Sequence, residues 1–362
     1  MSGGEIRSSL LPKSETRVRG HEGRGQEPVN AQRSAQLRGG VDLGGTKIQT
    51  AVIDAAGSVI AEAREPTPTT GGPQAVADAI AHAMRSATSA AGIKTKELRG
   101  IGVASPGEVD SEGIVSQARI LPGWAESFPL GPRLADALGT TIRVGNDVQV
   151  ATNAELALGA GRPYSSLIGV FWGTGVGGGL IIDRKPWLGR GAAGEIGHMV
   201  VRRGGARCPC GRRGCLEAYA GRAAMERKAR AEHAKGRRTD LFKIMEKRGR
   251  DRLTSGIWAR ALRKNDKLAT ELIDRAVRAL GAGIASAVNL LDVEAVIIGG
   301  GLGVRFGDEY AKRIERQMSP HLYNDKHPPA VHVAALGDLG GAIGASLLVG
   351  GWTSAARNGS GE

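Results

Sequence analysis

Three cysteines, Cys208, Cys210 and Cys215, are crowded into one short stretch, and the chain holds no others. An odd, clustered set does not make a disulfide framework, and with His198 upstream it completes a Cys₃His group of the kind that closes around structural zinc. Four protein ligands leave no open position for a catalytic water, so the metal's task would be to shape the loop. The competing reading is a redox thiol pair. Glu195 precedes His198 by one helical turn and Glu217 follows Cys215. On a metal-ordered loop, such carboxylates are held rigidly enough to accept hydrogen bonds from a polyhydroxylated ligand.

A second kind of chemistry is written in glycine. Asp42-Leu-Gly-Gly-Thr-Lys47 sets Gly44 and Gly45 in a turn between two strand-like runs, where bare N–H groups can approach phosphate oxygens. Asp42 would then hold a Mg²⁺ ion through water, the alternative being a plain hairpin turn with a flanking surface lysine. Gly173-Thr-Gly-Val-Gly-Gly-Gly179 repeats the device, and two such turns can clamp one polyphosphate from both sides. The spacing of Gly173, Gly175 and Gly178 also satisfies the dinucleotide fingerprint. That fingerprint requires a helix next, whereas Leu180-Ile-Ile-Asp183 continues as a strand. No Walker sequence occurs either. Gly145-Asn146-Asp147 joins a strand to a helix, which makes Asp147 at minimum an acidic residue at a helix start. In a kinase cleft the same carboxylate would accept a hydroxyl proton while the oxygen attacks phosphorus.

These residues need elements to carry them. The pattern around Val41 returns around Val170, with Gly44 matching Gly173 and Asp54 matching Asp183 at one offset, so the chain reads as internally duplicated. Helices are expected over 73–91, 147–159, 218–235, 267–291 and 339–349, with strands over 98–104, 141–145 and 293–298. Strands and helices in two similar halves predict an α/β protein with its ligand cleft between domains. The 362 residues suffice for two domains, and 56 glycines, about twice the usual share, fit backbone-lined ligand loops. Aromatic residues, at 4%, argue against stacking of single-stranded nucleic acid. The longest uncharged stretch, 163–182, is broken by glycines and reads as strand and loop rather than a membrane span. Residues 1–40 lack both an apolar leader and a periodic core, which predicts a disordered tail and a cytoplasmic protein. Between Arg202 and Lys267 stand 21 Lys or Arg against 7 Asp or Glu, a net +14 in a chain of net +13. That segment is either a solvated face or an anion-collecting surface beside the cleft.

Taken in order, the Asp42–Lys47 and Gly173–Gly179 turns, Asn146-Asp147, Glu195-Ile-Gly-His198, the cysteine cluster with Leu216-Glu217, and Gly299-Gly300-Gly301 resemble the ROK family of repressors, open reading frames and kinases. The resemblance implies two ribonuclease-H-like domains of the actin, hexokinase and Hsp70 type. Here they would be a small domain of residues 41–145 plus 338–362 and a large one of 146–337 carrying the zinc loop. It implies ATP-dependent phosphorylation of a hexose at the 6-hydroxyl, with glucose first and N-acetylmannosamine, fructose or mannose behind it. Asp147 would be the base. Gly107, Asn146, Glu195, His198 and Glu217 would bind sugar, with one ring nitrogen of His198 on zinc and the other toward a sugar hydroxyl. Asp42, Gly44, Gly45, Thr46, Lys47, Gly173, Thr174, Gly175 and Gly177 would take phosphates and Mg²⁺, and Gly299 to Gly301 the adenosine side. Ile120 stands where glucokinases of the family generally carry Asn, which bears on the choice of hexose. Polyphosphate is a second conceivable donor. A homodimer or higher homo-oligomer is implied too. A repressor of the same family would carry a winged helix-turn-helix, for which the 40 polar residues before Val41 are too few, so neither specific nucleic acid nor membrane is expected as a partner. A catalytically dead sugar- or zinc-binding module is the remaining alternative, disfavoured because Asp42, Asp147 and both glycine turns are present.

Overall fold

A computed structural model describes residues 17–20, 36–118, 121, 123, 124 and 126–350. The strands are β1 Arg17–Gly20, β2 Arg38–Leu43, β3 Lys47–Ile53, β4 Val59–Pro66, β5 Ile101–Ser105, β6 Glu108–Val109, β7 Val115–Ser116, β8 Ile142–Asn146, β9 Leu167–Trp172, β10 Val176–Ile182, β11 Lys185–Pro186, β12 Ala295–Gly299 and β13 Ala330–Val333. The α-helices are α1 Gly72–Ala90, α2 Leu130–Leu138, α3 Asp147–Leu158, α4 Glu217–Ala220, α5 Arg222–Ala234, α6 Leu241–Lys247, α7 Ser255–Arg263, α8 Lys267–Leu291, α9 Gly300–Met318 and α10 Gly340–Leu347.

Two sheets divide the strands. One has the order β1-β4-β3-β2-β5-β8 and the other β11-β10-β9-β12-β13. In the first, β4, β3 and β2 are antiparallel neighbours and β5 and β8 then add in parallel. In the second, β11, β10 and β9 are antiparallel and β12 and β13 add in parallel. The duplication in the sequence is thus a duplication of topology, and Gly44 and Gly173 begin equivalent hairpin turns. The whole is the actin-like, ribonuclease-H-like fold with its cleft between the halves. The uncharged 163–182 stretch is the β9–β10 hairpin, and among the described residues no helix is long and apolar enough to cross a membrane.

Helices α3 and α10 join the halves. Helix α3 lies on β9 and β10, α10 lies on β2 and β5, and the two pack on each other. Close approach needs glycine at Gly40 and Gly102, where any Cβ would run into the α10 backbone at Ala342 and Ala345. Glu155 of α3, itself buried, accepts hydrogen bonds from Ala160 at 2.9 Å and from Ala335 and Leu336 at 3.0 Å. One carboxylate therefore ties the end of α3 to the segment that leads back into α10.

Long helix α8 is set by the sequence alone: buried Leu268, Leu272, Ile273, Ala276, Val277, Leu280 and Ile284 recur at helical spacing, and Asp266 caps its start by accepting from Ala269 at 2.8 Å. The helix expected over 218–235 is instead two, α4 and α5, because Gly221 takes an extended conformation (ψ 132°) between them. Within the expected tail, Arg17–Gly20 pairs antiparallel with Ala61–Arg64 and Arg38–Gly40 opens β2, so the sheet begins before Val41. Four residues are too few to show a strand period, and an edge strand draws on backbone hydrogen bonds more than on side-chain pattern. Residues 1–16 and 21–35 of that stretch, along with Ile120 and 351–362, lie outside the described residues.

Candidate active site

Asn146 ends β8 and caps α3: its Oδ1 accepts from Val148 and Gln149 N–H, each at 3.1 Å, while its Nδ2 donates to the Gly107 carbonyl at 3.1 Å. A single amide thus fixes the turn at Gly107 against the helix start. Gly107 is in the left-handed region (φ 93°) with the backbone of Ser116 and Ala118 against it, which no L side chain would tolerate. The neighbouring Asp147 is the first residue of α3, its Oδ1 2.9 Å from Val148 N. Burial first, then the Asp42 carboxylate and more weakly Glu195, push its pKa up to about 7, against the lowering pull of the local N–H groups. Asp42 and Glu195 thus lie within electrostatic reach of Asp147. Asp42 in β2 is backed by the start of α10, where a Cβ on Gly341 would lie 2.6 Å from its Cγ.

Each glycine turn is closed from its first glycine, Gly44 N–H donating to Lys47 O and, in the tighter second turn, Gly173 N–H to Gly175 O, both at 3.0 Å. The first is tied down by Thr67, whose hydroxyl donates to Gly44 O at 2.6 Å. The second meets the Gly299–Gly301 run: Gly300, at φ 79°, lies against the Trp172 backbone, and a Cβ on Gly173 would stand 3.9 Å from Gly301 N. Residues more than a hundred positions apart thereby form one surface.

His198, Cys208, Cys210 and Cys215 converge, with their ligand atoms all within 4.8 Å of one another. Ligands about 2.3 Å from a zinc ion stand roughly 3.8 Å apart in a tetrahedron. The His198 Nδ1–Cys208 Sγ and Cys210 Sγ–Cys215 Sγ separations are 3.7 and 3.8 Å, so the donor set fits the metal. A Val200–Cys215 bridge and the Arg207–Arg213 pair shape the loop. Nδ1 of His198 faces the sulfurs, and its Nε2 lies 3.8 Å from Glu195. Glu217, opening α4, joins this cluster to the second turn: one oxygen accepts from Val176 N–H at 3.0 Å and the other lies 3.9 Å from Cys208 Sγ.

One residue that sequence reading did not select also reaches the turn. Arg222 donates through Nη2 to Thr174 Oγ1 at 2.7 Å and through Nη1 to Leu253 O at 2.9 Å. In sequence it is one arginine in a basic run, and the Gly221 break is what sets it on the second glycine turn.

The ROK family model matches residues 38–351. This chain belongs to the ROK family. It is 33% identical to a glucokinase from Halalkalibacterium halodurans over 86% of this chain and 94% of that one. It is 31% identical to an N-acetylgalactosamine kinase from Shewanella sp. over 85% and 95%. A ROK glucokinase from Streptomyces griseus, solved with glucose and AMPPNP, superposes with a TM-score of 0.74 at 31% identity, covering 86% of this chain and 98% of that one.

Proposed function

We propose that this chain is a hexokinase of glucokinase type that transfers the terminal phosphoryl group of Mg²⁺-ATP to the 6-hydroxyl of glucose. The observation that carries the reading is the placing of Asp147 at the start of α3, within electrostatic reach of Asp42 and next to Val148, which packs against Gly177 of the second glycine turn. Asp147 takes the hydroxyl proton, the freed oxygen attacks the γ-phosphorus, and the bond to ADP breaks. Asn146 holds the Gly107 turn and, with Glu195, His198 and the free lone pairs of Glu217, binds the sugar hydroxyls. Gly44 to Lys47 and Gly173 to Gly177 hold phosphates, and Gly299 to Gly301 the adenosine. Magnesium bound with ATP supplies charge neutralisation across the phosphates, and Asp42 would hold it through water. Zinc on His198, Cys208, Cys210 and Cys215 would fix the tautomer of His198 and the loop that carries Glu195. The similarity to relatives from glucokinases to an N-acetylgalactosamine kinase supports a hexose site whose preference rests on single contacts, and a cytoplasmic location suits the substrates.

A coupled assay over a hexose panel with ATP tests this. Glucose is expected to be turned over best, and no turnover of any hexose by zinc-replete protein would overturn the reading. Polyphosphate as an alternative donor is favoured by one feature: Arg248, Arg260, Arg263 and Arg305 are near enough on α7, α9 and the preceding loop to hold the Arg260 pKa down, burial contributing first. Among the described residues none of these four is in an ion pair.

A further inference from the structure

Among the described residues Arg222 donates to no carboxylate, and Glu226 reaches it only through its charge. It opens α5, and its backbone N–H donates to Gly173 O at 3.1 Å while the next residue, Ala223, donates to Thr174 O at 3.0 Å. Among the described residues its side chain bonds only to the Thr174 hydroxyl and the Leu253 carbonyl. Glu226, one turn further along the same helix, is engaged elsewhere: it takes Arg230 at 2.6 Å and the Leu253 N–H at 3.0 Å. Burial, and secondarily Arg252, weaken the hold of Arg222 on its proton, with Glu226 acting the other way. A partly buried cation bonded to neutral oxygens alone is costly, and an anion is what would complete it. If the side chain served only to brace the turn, a neutral donor would do the same at lower cost.

We infer that Arg222 is a donor-recognition residue, fixing the Thr174 hydroxyl and supplying the positive charge that the terminal phosphates of the nucleotide meet at the second glycine turn. This rests on the reading of Gly173–Gly177 as a phosphate loop. The planar fork suits the task, since one Nη holds the loop while the delocalised charge faces the phosphate oxygens. No part in sugar binding follows, because its contacts lie on Gly173 and Thr174 and on the segment at Leu253.

The test compares wild-type protein with R222M and R222K as full chains, measuring ADP and glucose affinity by calorimetry, KM for each substrate, and thermal melting. R222M is expected to weaken ADP binding and raise KM for ATP by about tenfold to a hundredfold. Its glucose affinity should stay within about twofold, and its KM for ATP should lose part of the wild-type dependence on salt. R222K, keeping charge without the fork, should fall between. Wild-type ADP affinity in R222M, or ADP and glucose affinity lost in step, overturns the inference. Should R222M not fold, R222K decides, and unchanged ADP affinity in that folded variant overturns it equally. A wild-type protein that neither binds ADP nor turns over a hexose would condemn the kinase reading instead, whereas an active wild type with an indifferent R222M condemns only the role of Arg222.

Discussion

Asp147 shows how position in a fold sets the chemistry of a single side chain. A helix start offers a carboxylate about 0.3–1 kcal/mol in favour of its charge. A shift from 3.8 to about 7 represents roughly 4 kcal/mol in the other direction, so burial and Asp42 win. Two consequences follow with opposite signs. Activity needs the ionised form, so kcat/KM should rise with pH through an apparent pKa near 7, and Asp147→Asn should lower kcat by about 10² or more while glucose still binds. Stability runs the other way. The folded protein holds a proton that the unfolded chain releases near 3.8, so wild-type stability falls as pH rises from there to about 7. Thermal melts should show that fall flattened in Asp147→Asn, and parallel melting curves for the two proteins across this range would remove Asp147 from the role.

At the scale of elements, the metal loop offers the next test. Cys210→Ser should lower zinc content, and glucose affinity should drop with it as His198 and Glu195 lose their fixed positions, while ADP affinity changes less. Metal analysis of fresh wild-type protein showing no zinc would end that linkage. The loop was legible because every cysteine in the chain is consumed by one motif, and α8 because its apolar period runs from Leu268 to Val288. Both glycine turns and the Asp147 helix were legible for a similar reason, since strand and helix patterns flank them at short range. Arg222 was not. Its direction depends on the ψ of Gly221, and nothing in an Ala-rich, basic helical pattern marks where the axis breaks. The strand at Arg17–Gly20 was hidden too, because its reason for existing is the open edge of β4 rather than its own residues. Helix α9 was obscured by glycine-rich residues at its start, which read as ligand loop, and by Gly307 inside it (φ 64°).

Across the whole molecule, the 202–267 segment spreads its charge through α5, α6, α7 and the metal loop. Part is answered locally, by Lys228–Glu232 at 2.7 Å, Arg237–Glu271 and Lys264–Asp240 at 3.6 Å. Arg248, Arg260, Arg263 and Arg305, in no ion pair among the described residues, are the portion that a polyanion would meet. If they collect donor, hexose phosphorylation should be measurable with polyphosphate and its kcat/KM should fall steeply with added salt. No polyphosphate-dependent turnover, together with a flat salt profile for ATP, would leave the segment as a solvated face. The buried Glu155 bears on how the molecule moves at all. By holding Ala335 and Leu336 on α3, it ties together the two passages of the chain between the halves. Closure about such a tie would be a rotation, which would bring a hydroxyl and a phosphate held across both halves into line without sliding one half along the other.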